Sequence, residues 1–342
     1  MKKLKLASLM LAAALSVTGL TACSGGDSNS DTEGGNSPAS ADSYKVGVIQ
    51  YGSHPSLDNC YQGVEEALKA SSIADKIEID RQDGNFDSAT CDTIAKNMVA
   101  KEYDIIYAIA TPAAISAYAA AANTNIPVVF CAVSDPVAAG LVDDMSAPGG
   151  NCTGTSDILD FNSQVDLIMA LQPEVKKIGV LYTTSEANSV SQLASLREVA
   201  EAKGIEIVDQ GVQGAADVPQ AAATLAAKVD CINNFTDNNV VSNLTVLLEQ
   251  ANSAGIPVYG SEVEQVSNGC IASISIDYVA LGKVTGDMGI RILGGEDPGT
   301  IPVGQISDGT PVVNTDVMAS FNIELPDSYA NAEKVTTNTS AE

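Results

Sequence analysis

Short apolar runs alternate along the chain with segments whose apolar residues recur at helical spacing. The run Val46–Tyr51 is nearly continuous, whereas Leu57, Tyr61, Val64 and Leu68 fall on one face of a helix. Continuous apolar runs are typical of parallel strands that are buried on both faces of a sheet. The alternation therefore predicts an α/β fold with parallel sheets covered by helices.

The same order of elements is predicted twice. The first set comprises strands Val46–Tyr51, Ile77–Gln82, Asp104–Ala110 and Val128–Ala132, and helices Leu57–Ala70, Ser88–Lys101 and Pro112–Ala122. The second set comprises strands Lys177–Tyr182, Glu206–Gly211, Asp230–Phe235, Val258–Gly260 and Ile271–Ile276, and helices Ser189–Lys203, Val218–Ala227, Val240–Ser253 and Tyr278–Leu293. Closing strands are predicted near Pro302–Gln305 and Val312–Asn314. The repetition predicts two Rossmann-like lobes with a ligand cleft between them.

The domain organisation follows from where composition and pattern change. The predicted parts are a lipoprotein signal peptide 1–22, a flexible tether 23–43, an N-terminal lobe 44–157 plus 278–302, a C-terminal lobe 158–277 plus 303–327, and a flexible tail 328–342. We expect the chain to cross between lobes near Asp157–Asn162 and to return near Asp277.

The N-terminus carries lysines and then an apolar run from Leu6 to Leu20, which is typical of a secretory signal. The sequence Leu20-Thr21-Ala22-Cys23 resembles a bacterial lipobox and predicts that Cys23 carries a lipid. A lipid chain would hold the protein at a membrane without a spanning helix. We therefore expect an extracytoplasmic, lipid-anchored protein, on a cell surface or in a periplasm.

Charge limits the partners that the protein is expected to have. The formal net charge of the chain is −26, and removal of the signal makes it more negative. Such a charge argues against nucleic acid and against anionic membrane surfaces as partners. The remaining contact with a membrane would be the lipid anchor.

Six cysteines remain beside Cys23, and none is spaced as a metal ligand pair. In an oxidising compartment they permit disulfides, with Cys131 and Cys152 as the best candidate pair, or they are buried free thiols. The sequence indicates no metal and no cofactor.

The loops that follow the predicted strands are rich in hydroxyls, amides and carboxylates. Ligands of open α/β sheets bind beyond the carboxyl ends of the strands, so these loops supply the candidate binding residues. The candidates are Gln50, Tyr51, His54, Thr111, Pro112, Ala113, Ser134, Asp135, Ser185, Glu186, Asn188, Ser189, Thr236, Asp237, Asn238, Glu262 and Asp277.

Two chemical roles are open to these residues. Thr111 and Pro112 suit the first turn of a helix, whose free N–H groups favour a carboxylate. An acid from Asp135, Glu186, Asp237, Glu262 or Asp277 suits a ligand ammonium. Helix capping alone explains the same residue types at each position. Tyr51 and Phe130 suit either a stacking wall or the core.

An enzyme is disfavoured, and no catalytic residue is predicted. His54 is the single histidine, so a Ser-His-Asp or Cys-His arrangement would have to include it. No phosphate-binding glycine motif follows the first strand. Spacing alone leaves a hydrolase based on carboxylates open.

Several motifs together resemble one family, the ABC transporter substrate-binding proteins of the tryptophan/tyrosine type. The motifs are Gly47–Tyr51 with His54–Asp58, Ala108–Ala114, Val133–Leu141, Pro148–Asn151 with Thr153–Asp157, Lys177–Tyr182, Ser185–Ser189, Thr236–Asn238, Tyr259–Glu262 and Ile276–Gly282. The resemblance covers about residues 44–327.

This resemblance implies a periplasmic-binding-protein type I fold with three crossings between its lobes. It further implies a receptor that delivers an aromatic amino acid, namely tryptophan, phenylalanine or tyrosine, to an ABC permease and its ATPase. The ligand carboxylate would then meet Thr111–Ala113 and Ser134, and lobe closure would exclude water. The alternatives are a receptor for a sugar, nucleoside or purine, and a surface sensor of a ligand.

Overall fold

The structure, a computed structural model, describes residues 43–306 and 309–338. The predicted signal peptide, Cys23 with its predicted lipid modification and nearly all of the predicted tether lie outside these residues. Within the described part, no helix combines the length and the apolar character needed to cross a bilayer.

The elements up to residue 156 belong to the N-terminal lobe. They are β1 (Tyr44–Gln50), α1 (Pro55–Ala70), β2 (Ile77–Asp83), α2 (Ser88–Ala100), β3 (Ile105–Ile109), α3 (Thr111–Ala121), β4 (Val128–Cys131) and β5 (Cys152–Ser156).

The C-terminal lobe holds most of the elements that follow. They are α4 (Phe161–Leu171), β6 (Lys177–Thr183), α5 (Ala187–Ala202), β7 (Glu206–Val212), α6 (Val218–Ala226), β8 (Cys231–Asn233), α7 (Asn238–Ser242), α8 (Leu244–Ala254), β9 (Val258–Tyr259), α9 (Val263–Ser267), β10 (Ala272–Ser275), α10 (Tyr278–Leu293), β11 (Gly304–Gln305), β12 (Thr310–Asn314), α11 (Thr315–Ser320) and β13 (Glu333–Val335). Of these, α10 and β11 return to the N-terminal lobe.

The N-terminal lobe is built on a six-stranded sheet in the order β11-β5-β4-β3-β1-β2, and every pairing in it is parallel. All residues of β3 and β4 are buried. Helix α1 packs along α10, and α2 packs against α3. The continuous apolar runs of the central strands thus form the core that the sequence pattern predicts.

The C-terminal lobe contains a parallel sheet in the order β7-β6-β8-β9 and a second sheet in the order β10-β12-β13. Two backbone hydrogen bonds join them, from Ile271 to Val258 at 2.7 Å and from Gly260 to Ala272 at 2.9 Å. The lobe therefore presents the strand ends of β6, β8 and β9 along one edge, as the N-terminal lobe does with β1, β3, β4 and β5.

The chain passes between the lobes three times. The first crossing follows β5 at Asp157, the second lies between β10 and α10, and the third lies between β11 and β12. The lobe boundary predicted at residue 302 is too early, because Gly304 and Gln305 pair with Thr155 and Ser156 of the N-terminal lobe.

The C-terminal tail predicted from residue 328 is ordered as far as residue 338. Strand β13 pairs in parallel with β12, and the Asn338 N–H donates to the Ser267 carbonyl at 2.7 Å. The polar composition that suggested flexibility is compatible with order here, because the edge of β12 supplies backbone hydrogen bonds.

Two further predictions differ from the structure. The helix predicted over Val240–Ser253 is divided into α7 and α8 at Asn243. Of the two alternatives for the cysteines, the structure has the second: the six cysteines of the described residues are buried free thiols, and the candidate pair Cys131 and Cys152 is not bonded. Cys152 lies opposite Val128, three residues from Cys131 along β4, which is too far for an S–S bond.

Candidate functional site

A small cavity lies between the lobes at the carboxyl ends of their strands. The N-terminal lobe and the first two crossings contribute His54, Ser56, Leu57, Ala110, Thr111, Ala132, Ser134, Asp157 and Tyr278. The C-terminal lobe contributes Asn188, Thr236, Asn238, Val241 and Glu262.

The start of α3 forms a donor-rich part of the wall. Ala110 adopts a left-handed φ of 78°, which turns the chain sharply from β3 into the helix. The Thr111 hydroxyl is buried and has no partner. The first N–H groups of a helix lack intrahelical acceptors, so this corner suits an anionic group of a ligand.

Asp157 supplies the first of two buried carboxylates in the cavity. It accepts hydrogen bonds from the Ser134 hydroxyl at 2.9 Å and from the Tyr278 hydroxyl at 3.0 Å. Burial raises the pKa of the Asp157 carboxyl to about 6, although these hydrogen bonds oppose the shift.

Glu262, which follows β9, supplies the second carboxylate. Gln265 donates to Glu262 Oε1 at 2.9 Å, while Oε2 is buried without a partner. Burial, reinforced by the nearby Glu264, raises the pKa of Glu262 to about 7. No lysine or arginine lines the cavity, so neither carboxylate has a cationic partner there.

His54 borders the cavity from the loop before α1. Its ring lies nearly parallel to that of Phe86, with 6.3 Å between centroids, and its Nε2 lies 3.4 Å from Asn238 Oδ1. Burial lowers the pKa of His54 to about 4, so the imidazole is neutral at physiological pH.

A polar network behind the cavity fixes the loops of the C-terminal lobe. Asp237 accepts from the Thr183 N–H at 2.5 Å, from the Thr183 hydroxyl at 2.8 Å and from the Ser189 hydroxyl at 2.7 Å. Glu186 accepts from the side-chain amides of Asn238 and Asn239 at 2.6 and 3.1 Å. Burial and the neighbouring Asp237 raise the pKa of Glu186 to about 8.

The structure brings seven of the predicted binding residues to the cavity and leaves ten outside its lining. Those in the lining are His54, Thr111, Ser134, Asn188, Thr236, Asn238 and Glu262. Those outside it are Gln50, Tyr51, Pro112, Ala113, Asp135, Ser185, Glu186, Ser189, Asp237 and Asp277.

The acids outside the lining are engaged elsewhere. Asp277 is exposed and caps α10 by accepting from the Ala280 N–H at 2.9 Å. Asp135 accepts from the Ala138 N–H at 2.9 Å. Of the five acids predicted to meet an ammonium, Glu262 alone borders the cavity.

Four of the other predicted residues outside the lining lie near β1 and α3 and support the cavity wall from behind. Gln50 donates to the Gly52 carbonyl at 2.8 Å, and Tyr51 packs edge-on against Phe86 with 5.8 Å between centroids. Pro112 and Ala113 are buried within α3. Ser185 is exposed.

Phe130, predicted as a wall or as core, is fully buried in β4 and belongs to the core.

Seven lining residues were missing from the prediction: Ser56, Leu57, Ala110, Ala132, Asp157, Val241 and Tyr278. Asp157 and Tyr278 lie at the first and second crossings, and the bond between their side chains ties the crossings together. A signal for Asp157 did exist, since it is an acid directly after a strand, but β5 was not among the predicted strands.

Direct hydrogen bonds close the lobes over the cavity. Gln192 of α5 donates to the Ser134 hydroxyl at 2.7 Å, and the Ser191 hydroxyl donates to Asp135 at 2.7 Å. On the opposite side, Asn59 of α1 donates to Glu264 at 2.5 Å. Among the described residues, no group of His, Cys, Asp and Glu is placed to hold a metal ion.

Comparisons with known proteins agree with this architecture. A tyrosine-binding protein of Clostridioides difficile (strain R20291) is 38% identical over 325 residues, which is 94% of each chain. The structure of an ABC domain from Streptococcus pneumonia in complex with L-Trp is 35% identical and has a TM-score of 0.83, covering 86% of this chain and 99% of that one.

The ligand-free, open structure of a Clostridium difficile substrate-binding protein with adhesive properties is 36% identical and has a TM-score of 0.66, covering 86% of this chain and 100% of that one. Identity and coverage of this chain are nearly the same for the open protein and the L-Trp complex. The higher score with the complex therefore agrees with closed lobes here. The family model for ABC transporter substrate-binding proteins matches residues 45–336, and the chain belongs to that family.

Proposed function

We propose that this protein is the receptor of an ABC importer and that it captures an aromatic amino acid, tryptophan, phenylalanine or tyrosine, by closing its lobes. Substrate-binding proteins of this family act outside the cytoplasm and bind solutes rather than transform them. The partners would be the small ligand and the permease and ATPase subunits of the importer.

The observation that carries the proposal is a pair of buried carboxylates, Asp157 and Glu262, in a cavity without a cation. Burying an unpaired charge costs several kcal/mol in free energy. A ligand ammonium would offset that cost for both groups, whereas a neutral sugar would leave the charge unpaired. The cavity therefore favours a ligand with a positive charge.

The rest of the lining suits the other parts of an amino acid. The Thr111 hydroxyl and the first N–H groups of α3 offer donors to a carboxylate. Leu57, Val241 and Ala132 offer apolar surface to a side chain. The relatives named for tyrosine and solved with L-Trp support an aromatic side chain.

The test is calorimetric titration of the purified protein with all amino acids, and with sugars and nucleosides as competing classes. We expect binding of aromatic amino acids, and we expect Asp157→Asn to weaken it by about ten-fold or more, because a charge-assisted hydrogen bond contributes roughly 1.5–3 kcal/mol. Asp277→Asn is a matched control, since Asp277 is an exposed cap, and it should bind normally. Binding of sugars or nucleosides alone would remove the amino-acid assignment.

The proposal includes a lipid anchor on Cys23, supported by the lipobox-like Leu20-Thr21-Ala22-Cys23. In a bacterial host, the wild-type protein should be found with the membranes and should partition into the detergent phase when they are extracted. Cys23→Ser should shift it to the aqueous phase, and Cys60→Ser serves as the control. A wild-type protein that stays in the aqueous phase would contradict the anchor.

A further inference from the structure

His54 carries a polar atom that the protein leaves without a partner at the edge of the cavity. The side chain is 9% exposed, and its Nδ1 is buried with no hydrogen-bond partner. His54 stands at the N-cap of α1, yet its side chain caps no N–H group of that helix. His54 lines the cavity and its Nε2 lies against Asn238, so the unpaired Nδ1 is the ring nitrogen that remains for a ligand.

The hydrogen bonds around Asn238 determine which ring nitrogen carries the proton. Glu186 accepts from Asn238 Nδ2 at 2.6 Å and from the Asn238 N–H at 3.2 Å. The amide orientation is thereby fixed, and Asn238 Oδ1 faces His54 Nε2 at 3.4 Å. Because that oxygen only accepts, Nε2 carries the proton in the neutral ring and Nδ1 presents a lone pair.

The Nδ1 lone pair accepts a hydrogen bond, so it pairs only with a donor group of an amino acid. A ligand carboxylate would be repelled by it, and the ammonium has Asp157 and Glu262 as stronger partners. The donor that remains in an aromatic amino acid is the phenolic O–H of tyrosine or the indole N–H of tryptophan. Phenylalanine has no such donor.

The surroundings of His54 suit an aromatic side chain. Phe86 lies parallel behind the imidazole, and Tyr51 packs edge-on against Phe86. Leu57 and Val241 line the same cavity with apolar surface. Aromatic rings pack favourably in offset-stacked and edge-on arrangements, so the His54 ring, backed by Phe86, is a fitting wall for a ligand ring.

We infer that His54 Nδ1 accepts a hydrogen bond from the ring substituent of the ligand and makes the receptor selective for tyrosine or tryptophan over phenylalanine. The inference rests on the proposed function, whose ligand class it narrows. With phenylalanine bound, the buried Nδ1 would stay without a hydrogen bond. The free-energy cost of that unpaired acceptor is the source of the discrimination against phenylalanine.

The first test compares affinities for tyrosine, tryptophan and phenylalanine in three proteins. The wild type should bind tyrosine or tryptophan about ten-fold or more tightly than phenylalanine. His54→Leu, which lacks an acceptor, should reduce that preference to within about three-fold while retaining phenylalanine binding. His54→Asn offers an oxygen near the position of Nδ1 and should restore part of the preference.

The second test uses the wild type alone and is independent of whether variants fold. Because the sequence contains one histidine, ring ¹⁵N labelling with a histidine-free tag reports on His54 alone. We expect a protonated Nε2 and an unprotonated Nδ1 at neutral pH. Tyrosine or tryptophan should shift the Nδ1 resonance as a new hydrogen bond does, and phenylalanine should not.

The outcomes separate the two proposals. Equal wild-type affinity for the three ligands would overturn the role of His54 and leave the proposed function standing. Loss of all three ligands in His54→Leu would also overturn it, since the side chain would then serve a part common to all of them. A wild type that binds no aromatic amino acid would remove the proposed function itself.

Discussion

Asp157 and Glu262 differ in how far the protein satisfies them. Asp157 accepts two hydroxyl hydrogen bonds, whereas Glu262 keeps one oxygen unpaired. An unpaired carboxylate oxygen in a buried site is costly, so Glu262 gains more from a ligand ammonium than Asp157 does. The polar groups of the cavity are therefore more poorly satisfied on the side of the C-terminal lobe.

These carboxylates predict that the stability of the ligand-free protein and its affinity for ligand change in opposite directions as pH rises. Without ligand, the pKa of Asp157 is raised to about 6 and that of Glu262 to about 7, so the folded state holds protons more tightly than the unfolded state. Their contribution to stability is present at low pH and is lost as pH rises through those values. The ligand-free protein should melt at a higher temperature near pH 5 than near pH 8.

An ammonium favours the ionised carboxylates, so ligand affinity should rise over the same pH interval. Thermal melting and titration of one preparation, across about pH 5 to 8, would measure both trends. Glu186, with its pKa raised to about 8, adds to the slope of stability but lies outside the cavity lining. The double variant Asp157→Asn, Glu262→Gln should therefore lose the slope of affinity and keep part of the slope of stability. An affinity that falls as pH rises would contradict this account.

At the scale of elements, the close crossing of α1 and α10 positions one wall of the cavity. A side-chain carbon added at Gly282 would lie 2.1 Å from the Cys60 carbonyl oxygen, and one at Gly63 would lie 2.1 Å from the Val279 carbonyl oxygen. Only glycine permits this approach on either helix. The N-terminal ends of the same two helices carry Ser56 and Tyr278 into the cavity.

Gly282→Ala tests this packing because two effects oppose each other there. Helix propensity alone would stabilise the variant by roughly 1 kcal/mol. Overpacking in a core costs about 1–3 kcal/mol, and a 2.1 Å approach to backbone lies at the severe end, so we expect net destabilisation. Urea unfolding measures the difference in free energy.

Gly214→Ala is the matched control, since a carbon added there would meet nothing within 4 Å. It should change the stability little. A Gly282→Ala protein as stable as the wild type would show that the helices move apart at no cost.

The elements also explain which strands the sequence predicted and which it did not. Strands with continuous apolar runs, such as β3 and β4, were predictable because burial alone accounts for their residues. Strand β5 is polar, and its hydroxyls are satisfied by distant groups: Thr153 donates to the Ile301 carbonyl, and Thr155 bonds to Thr285, both at 2.7 Å. No local pattern reveals such partners, and Asp157 was missed together with the strand that carries it.

At the scale of the whole molecule, the repeated order of elements predicted two lobes and the edge at which they meet. It was not able to predict which acids face the cavity, because Asp277 and Glu262 both follow strands and differ only in their partners. Asp277 caps its own helix, whereas Glu262 retains an unpaired oxygen. Selection among candidates therefore depends on hydrogen bonds that exist only in the folded chain.

The late position of α10, β11 and β13 in the sequence bears on when each lobe is able to finish folding. Residues leave the ribosome in order, so the face of α1 that carries Gly63 stays uncovered until α10 has been made. Helix α10 follows all four strands of the C-terminal lobe's first sheet in the sequence. The C-terminal lobe waits longer still, because β13 joins it last. Contacts over such sequence distances delay folding. A chain that folds late is still unfolded when it is translocated across a membrane. Late folding therefore suits a protein that is made on one side of a membrane and acts on the other.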